Sequence, residues 1–281
     1  MYEVIFLWVL ALAFILFAVV QDIRTREIAN WLNFSLIIFA LGFRLFYSLF
    51  SGDNFSFFLN GLMGFGIFFV VGNLFYYSRL FAGGDAKLMI ALGTILPISS
   101  RFFSNIQIFL NFLLIFLMSG FVYIVFASIS LCLKNFKAFQ KEFIKQFKIS
   151  KKIFYFSLLV SSIFLIASLF EIFFLFVGIL IFFTFWLYLY SKAIDECCMI
   201  KEISTKYLRE GDWLYSNTKV GKKTIKKSWD GVTKKEIKEI LKYYKKVKIR
   251  EGVVFSPVFL MAIIIWILSI LFKINLWDSL W

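Results

Sequence analysis

Two aspartates stand where hydrophobic runs give way to polar chain, and their setting suggests chemistry. Asp22 follows the apolar run 4–20 in Gln21-Asp22-Ile23-Arg24-Thr25-Arg26-Glu27-Ile28-Ala29-Asn30. Asp85 closes Ala82-Gly83-Gly84-Asp85 and leads into Ala86-Lys87-Leu88. Taken alone, Asp22 is a polar residue ending a hydrophobic helix, and Asp85 fits the N-cap of the next one, accepting from free N–H groups. As a pair they can do more. Two carboxylates a few ångströms apart cannot both ionise easily, so one holds a proton that it can donate while the other takes a proton from water. That is acid–base equipment for peptide hydrolysis. Gly83 and Gly84 remove side-chain bulk beside Asp85, where an extended peptide could approach. Such a pair titrates as a unit, so neither role is assigned to one Asp.

The rest of the composition narrows the alternatives. The chain has no His, which excludes imidazole bases, Ser-His-Asp triads and HExxH zinc sites. Cys132, Cys197 and Cys198 form no ligand set and are expected to stay reduced. No metal or other cofactor is expected.

The elements that must position the pair are membrane helices. Of 281 residues, 61% are hydrophobic, above the 45–50% or so of a soluble domain. Apolar runs at 4–20, 31–50, 57–77, 86–98, 106–131, two within 153–190 divided at Glu171, and 254–272 give eight spans. The first is read as retained, not as a cleaved signal. Placing the N-terminus outside puts 28 of the 31 Lys and Arg in segments 21–31, 78–87, 132–152 and 192–252, which are then cytoplasmic. Only Arg44, Arg101 and Lys273 lie elsewhere. Both Asp then lie at the cytoplasmic membrane edge. Arg44, inside the second span, is expected to snorkel toward the headgroups.

The fold class is therefore an all-α polytopic membrane protein of about eight transmembrane helices, with a small cytoplasmic α+β domain before the last. Five parts are expected: a bundle carrying both Asp motifs (1–131), a basic amphipathic interfacial segment (132–152), a transmembrane hairpin (153–191), a small basic cytoplasmic domain (192–252), and a last helix with the C-terminus (253–281). In the second part, Phe136, Phe139, Phe143 and Phe147 form a helical stripe expected to lie in the headgroups. In the fourth, Thr233 and Glu236 read as a capping box, followed by an apolar face of Ile237, Ile240, Leu241 and Tyr244. Its excess of Lys and Arg points to anionic lipid headgroups, with no nucleic acid partner expected.

These motifs resemble the type IV prepilin peptidases, in particular the archaeal prepilin and preflagellin (archaellin) peptidases, membrane aspartyl proteases of the GxGD class. Asp22 matches that family's first Asp, and Ala29-Asn30 its Pro-Asn pair with Ala for Pro. Ala82-Gly83-Gly84-Asp85 matches GxGD with Ala for the first Gly, continued by Lys87-Leu88. The segments 208–214 and 250–257 are similar to stretches flanking the archaeal branch's cytoplasmic region. The Pro-Ala-Leu motif of the presenilin-type proteases is absent. The resemblance implies Asp22 and Asp85 as catalytic residues, supported by Ala82, Gly83, Gly84 and Asn30. It implies a pilin-like or archaellin precursor as substrate, cut at the cytoplasmic membrane edge behind a short basic leader. Lys87 and Asn73 are possible modulators, and Glu27 is not assigned a role. The other readings are a transporter using the acids as ion sites, against which stand the missing internal repeat and their edge position, and an inactive scaffold, prompted by Ala82.

Overall fold

The computed structural model describes residues 2–52, 55–221, 223–228 and 231–272. Lys273 and the C-terminal end of the last predicted segment lie outside them. The chain forms two compact units, one of residues 1–124 with 254–281 and the other of 125–253.

The first unit is built of α1 (Tyr2–Thr25), α2 (Asn30–Ser51), α3 (Ser56–Tyr77), α4 (Gly83–Gly93), most of α5 (Phe102–Lys134) and, from the far end of the chain, α10 (Pro257–Leu271). Phe112 and Phe116 of α5 pack on Phe259 and Trp266 of α10, and Trp266 meets Trp8 of α1 edge-on. Helix α4 sits differently from the others. It has only 11 residues, about 16 Å at the α-helical rise and half a hydrocarbon core. Asp85, Ala86 and residues 88–93 are all buried. It lies on Gly64, Phe68 and Gly72 of α3, buried positions spaced for one helix face. A Cβ on Gly64 would come within 2.1 Å of the Gly93 carbonyl oxygen, so the two backbones meet because no side chain intervenes.

Arg44 corrects an expectation. It does not snorkel: it is 0% exposed and donates to the backbone carbonyls of Thr94, Ile95 and Pro97, just past α4, and of Phe57. The guanidinium fork finds enough carbonyl oxygens inside the protein to leave water.

The second unit begins with the end of α5 and continues through α6 (Phe136–Ile149), α7 (Lys151–Ala167) and α8 (Phe173–Cys198). Glu171 lies in the turn between α7 and α8. These two helices pack closely enough for Ser161 Oγ to donate to the Gly178 carbonyl at 2.9 Å. Three of the four Phe of the α6 stripe meet α8: Phe139 packs on Tyr190, Phe143 on Trp186, and Phe147 on Phe185 and Trp186, while Phe136 is exposed. Aromatic partners on a neighbouring helix compete with lipid for the same face.

After α8 comes the mixed region. An antiparallel sheet of order β1-β5-β2 joins β1 (Ile200–Ser204), β2 (Trp213–Leu214) and β5 (Lys246–Arg250). A hairpin pairs β3 (Thr218–Val220) with β4 (Lys223–Ile225). Helix α9 (Lys234–Tyr243) starts at the predicted capping box, Thr233 and Glu236 bonding reciprocally. Its apolar face is narrower than expected. Ile240 is fully buried and Ile237 packs on the same core, but Leu241 and Tyr244 remain exposed. Arg250 ties the sheet to α8 through Asp195 at 3.0 Å and Glu196 at 2.9 Å.

Among the described residues five helices, α1, α2, α3, α5 and α8, are long and apolar enough to cross a membrane, and a sixth span results if α6 and α7, bent by 72°, count as one. The protein is thus an all-α polytopic membrane protein with a small mixed region before its last helix. Eight full-length helices are not found, because α4 is short, α7 has 17 residues and α10 has 15.

Candidate active site

Helix α1 ends one turn past Asp22. Arg26 takes the left-handed conformation (φ 58°), its N–H still bonded to the Asp22 carbonyl at 2.8 Å. The chain then folds back, and Gln21 Oε1 accepts from the Ala29 N–H at 3.1 Å. Ala29 precedes α2 with φ −64°, the value a proline ring would impose. Alanine reaches the same conformation and keeps the N–H that bonds Gln21.

Asp85 is not the N-cap of α4. That place belongs to Ala82, at φ −70° and ψ 161°, ordinary extended backbone that needs no glycine. Asp85 lies in the first turn of α4, 8% exposed, where helix N–H groups favour negative charge. Burial and then the Asp22 charge raise its pKa to about 7, against a smaller opposing effect of a backbone hydrogen bond at Ala82. The structure thus brings the two carboxylates within electrostatic reach of each other, one half-buried and one buried.

Three contacts fasten α4 to the turn after Asp22 and the start of α2. Lys87 Nζ donates to Asn30 Oδ1 at 2.6 Å, so two residues singled out from sequence meet each other. A Cβ on Gly84 would stand 3.1 Å from the Ile28 Cβ, so glycine allows this approach. Asn33, fully buried, donates through Nδ2 to the Gly84 carbonyl at 3.3 Å. Gly83 meets nothing closer than Tyr76, at 3.8 Å from an added Cβ. Asn73 donates to the Phe69 carbonyl of its own helix at 2.7 Å.

Gln21, Asn33 and Tyr123 were not singled out by sequence. Asn33 stands one turn after Asn30 on α2, and that spacing was the available signal. Tyr123 on α5 donates to the Val254 carbonyl at 2.7 Å and lies within reach of the Asp22 charge. Among the described residues no three His, Cys, Asp or Glu side chains are grouped to hold a metal ion.

Chemically, a buried acid that holds its proton near neutral pH beside a second carboxylate can serve as donor and acceptor in one step. Known proteins carry the same region. Residues 9–129, which include both Asp, match the Type IV leader peptidase family. Over 83 residues the chain is 35% identical to a preflagellin peptidase of Methanococcus maripaludis, covering 30% of this chain and 35% of that one. The preflagellin peptidases of Methanococcus voltae and Methanocaldococcus jannaschii are 30% and 31% identical over the same length. The chain spans about a third of the length of these curated relatives. No solved structure matches it.

Proposed function

We propose that this chain, whose residues 9–129 match the type IV leader peptidase family, is a membrane aspartyl endopeptidase of that kind and removes the short basic leader of a pilin-like or archaellin precursor. The observation that carries the reading is Asp85, a buried acid under the charge of Asp22, in a chain without His. Asp85 holds a proton near neutral pH beside the Asp22 carboxylate. The protonated carboxyl donates to the scissile carbonyl oxygen as the ionised one accepts a proton from the attacking water. The tetrahedral intermediate then collapses: the carboxyl that took the water proton gives it to the leaving amine, and the other takes back the proton of the former carbonyl oxygen, which regenerates the pair. Asn30, Gly84 and Lys87 brace the two segments against each other. The ordinary dihedral angles of Ala82 speak against an inactive scaffold, since they ask for no glycine.

The distribution of Lys and Arg supports an outside N-terminus and a cytoplasmic site. Residues 192–252 carry 17 Lys and Arg against 9 Asp and Glu, which favours anionic headgroups over a basic leader. A precursor helix can lie beside the bundle with its scissile segment level with the two Asp.

The test incubates membranes containing the protein with a set of pilin-like and archaellin precursors. A mobility shift with cleavage just before the hydrophobic segment is expected. No cleavage of any precursor by correctly inserted protein would contradict the proposal.

A further inference from the structure

Arg44 is a buried charge whose hydrogen-bond acceptors, among the described residues, include no carboxylate. Its side chain donates to Thr94 O at 2.8 Å, Phe57 O at 2.9 Å, Ile95 O at 3.1 Å and Pro97 O, and its guanidinium carbon lies 4.2 Å from the Phe57 ring centroid. All four acceptors are neutral carbonyls. Burying a cation without a counter-ion is costly unless its donors are met, and four hydrogen bonds serve the five N–H groups here, so a side chain held this way is tightly constrained.

Three of the four carbonyls belong to one place, the chain leaving the C-terminal end of α4. Thr94 is the C-cap residue of α4, and Ile95 and Pro97 follow it, next to the negative end of the helix dipole. Arg44 supplies both donors and positive charge there. Room for it comes from Gly61, where an added Cβ would stand 2.5 Å from the Arg44 Cδ.

The opposite end of the same short helix carries Asp85. From Asp85 to Gly93 is about 12 Å of helix, a stiff element over that distance. Eight of the 11 residues of α4 are buried, so it moves as a packed body if it moves at all. We propose that Arg44 is a positioning residue: by holding the C-terminal end of α4, it fixes where Asp85 stands relative to Asp22.

This rests on the protease reading for its functional meaning, but not for its test. Asp22 from α1 is the charge acting on Asp85 through space, and the hydrogen bond at Ala82 acts against it. Lys87, two residues along α4, is bonded to Asn30. If α4 slips, Asp85 loses part of its burial and of its approach to Asp22, and its pKa falls toward that of an ordinary carboxylic acid.

The experiment is an infrared titration of the full chain in lipid, following the protonated carboxyl C=O band that Asp85→Asn removes. Arg44→Gln is expected to move the midpoint of that band down by about half a pH unit or more. Arg44→Lys, which keeps charge and three donors, is expected to fall between Gln and the unmodified protein. In parallel, Arg44→Gln should lower precursor cleavage about 10- to 100-fold and move its alkaline limb to lower pH. A purely structural role would reduce the folded amount and scale the profile without shifting it. An unmoved midpoint in both variants overturns the proposal, even if activity falls. A moved midpoint in a protein that cuts no precursor would support Arg44 as a positioning residue and sink the protease reading alone. Should Arg44→Gln fail to fold, the Lys variant decides by the same criterion.

Discussion

Gly64→Ala tests how far the site depends on the seating of α4. The new Cβ would stand 2.1 Å from the Gly93 carbonyl oxygen and 2.6 Å from Pro97 Cγ. A carbon and a carbonyl oxygen do not approach much below about 3 Å, so α3 and α4 must part by about 1 Å. Overpacking of this kind costs about 1–3 kcal/mol, which a large bundle can tolerate. The effect on catalysis is larger in proportion. A misplacement of about 1 Å at reacting groups can cost about 100-fold in rate. Gly64→Ala is therefore expected to cut precursor cleavage by about two orders of magnitude while insertion and yield stay near normal. Gly66→Ala, on the same helix, is the matched control, because an added Cβ there meets nothing within 4 Å. The assay is initial cleavage rate in membranes, per molecule of inserted protein. Equal rates for the two variants would refute the claim that α4 seating sets the site.

Other consequences concern the pair and its surroundings. Cleavage is expected to fall as pH rises above about 7, since the pair must keep one proton and Asp85 loses its own there; a rate–pH profile checks it. A raised carboxyl pKa means the folded state holds the proton more tightly than the unfolded one. Stability should thus decline as pH climbs from the ordinary carboxyl range to about 7. Asp85→Asn should flatten that decline in a thermal melt. Ala82→Gly should leave cleavage within about twofold, because residue 82 is already at unstrained extended angles. Thr233→Ala should destabilise α9 by about 1 kcal/mol through loss of the capping box, measured by denaturation.

Much of this was legible in the sequence because the signals were local. The two Asp motifs, the turn at Glu171 and the capping box at Thr233 each depend on a few neighbouring residues. What escaped depended on distant partners. Arg44 read as a snorkelling side chain because its four carbonyl acceptors lie 13 to 53 positions away. Asn33 looks like any polar residue in a span until Gly84, 51 positions on, is seen to accept from it. The span count failed at α4 because hydropathy measures apolar length, and an 11-residue helix within a bundle is as apolar as part of a longer one. Conversely, the substitutions that set this chain apart from the GxGD pattern, Ala29 and Ala82, became understandable only from their dihedral angles.

The central claim is that Asp22 and Asp85 together cut a peptide bond. Its most direct test compares the unmodified protein with Asp22→Asn and Asp85→Asn, inserted to equal levels in membranes and given the same precursor. Cleavage by the unmodified protein and none by either variant is the expected result. Normal processing by either variant would contradict it.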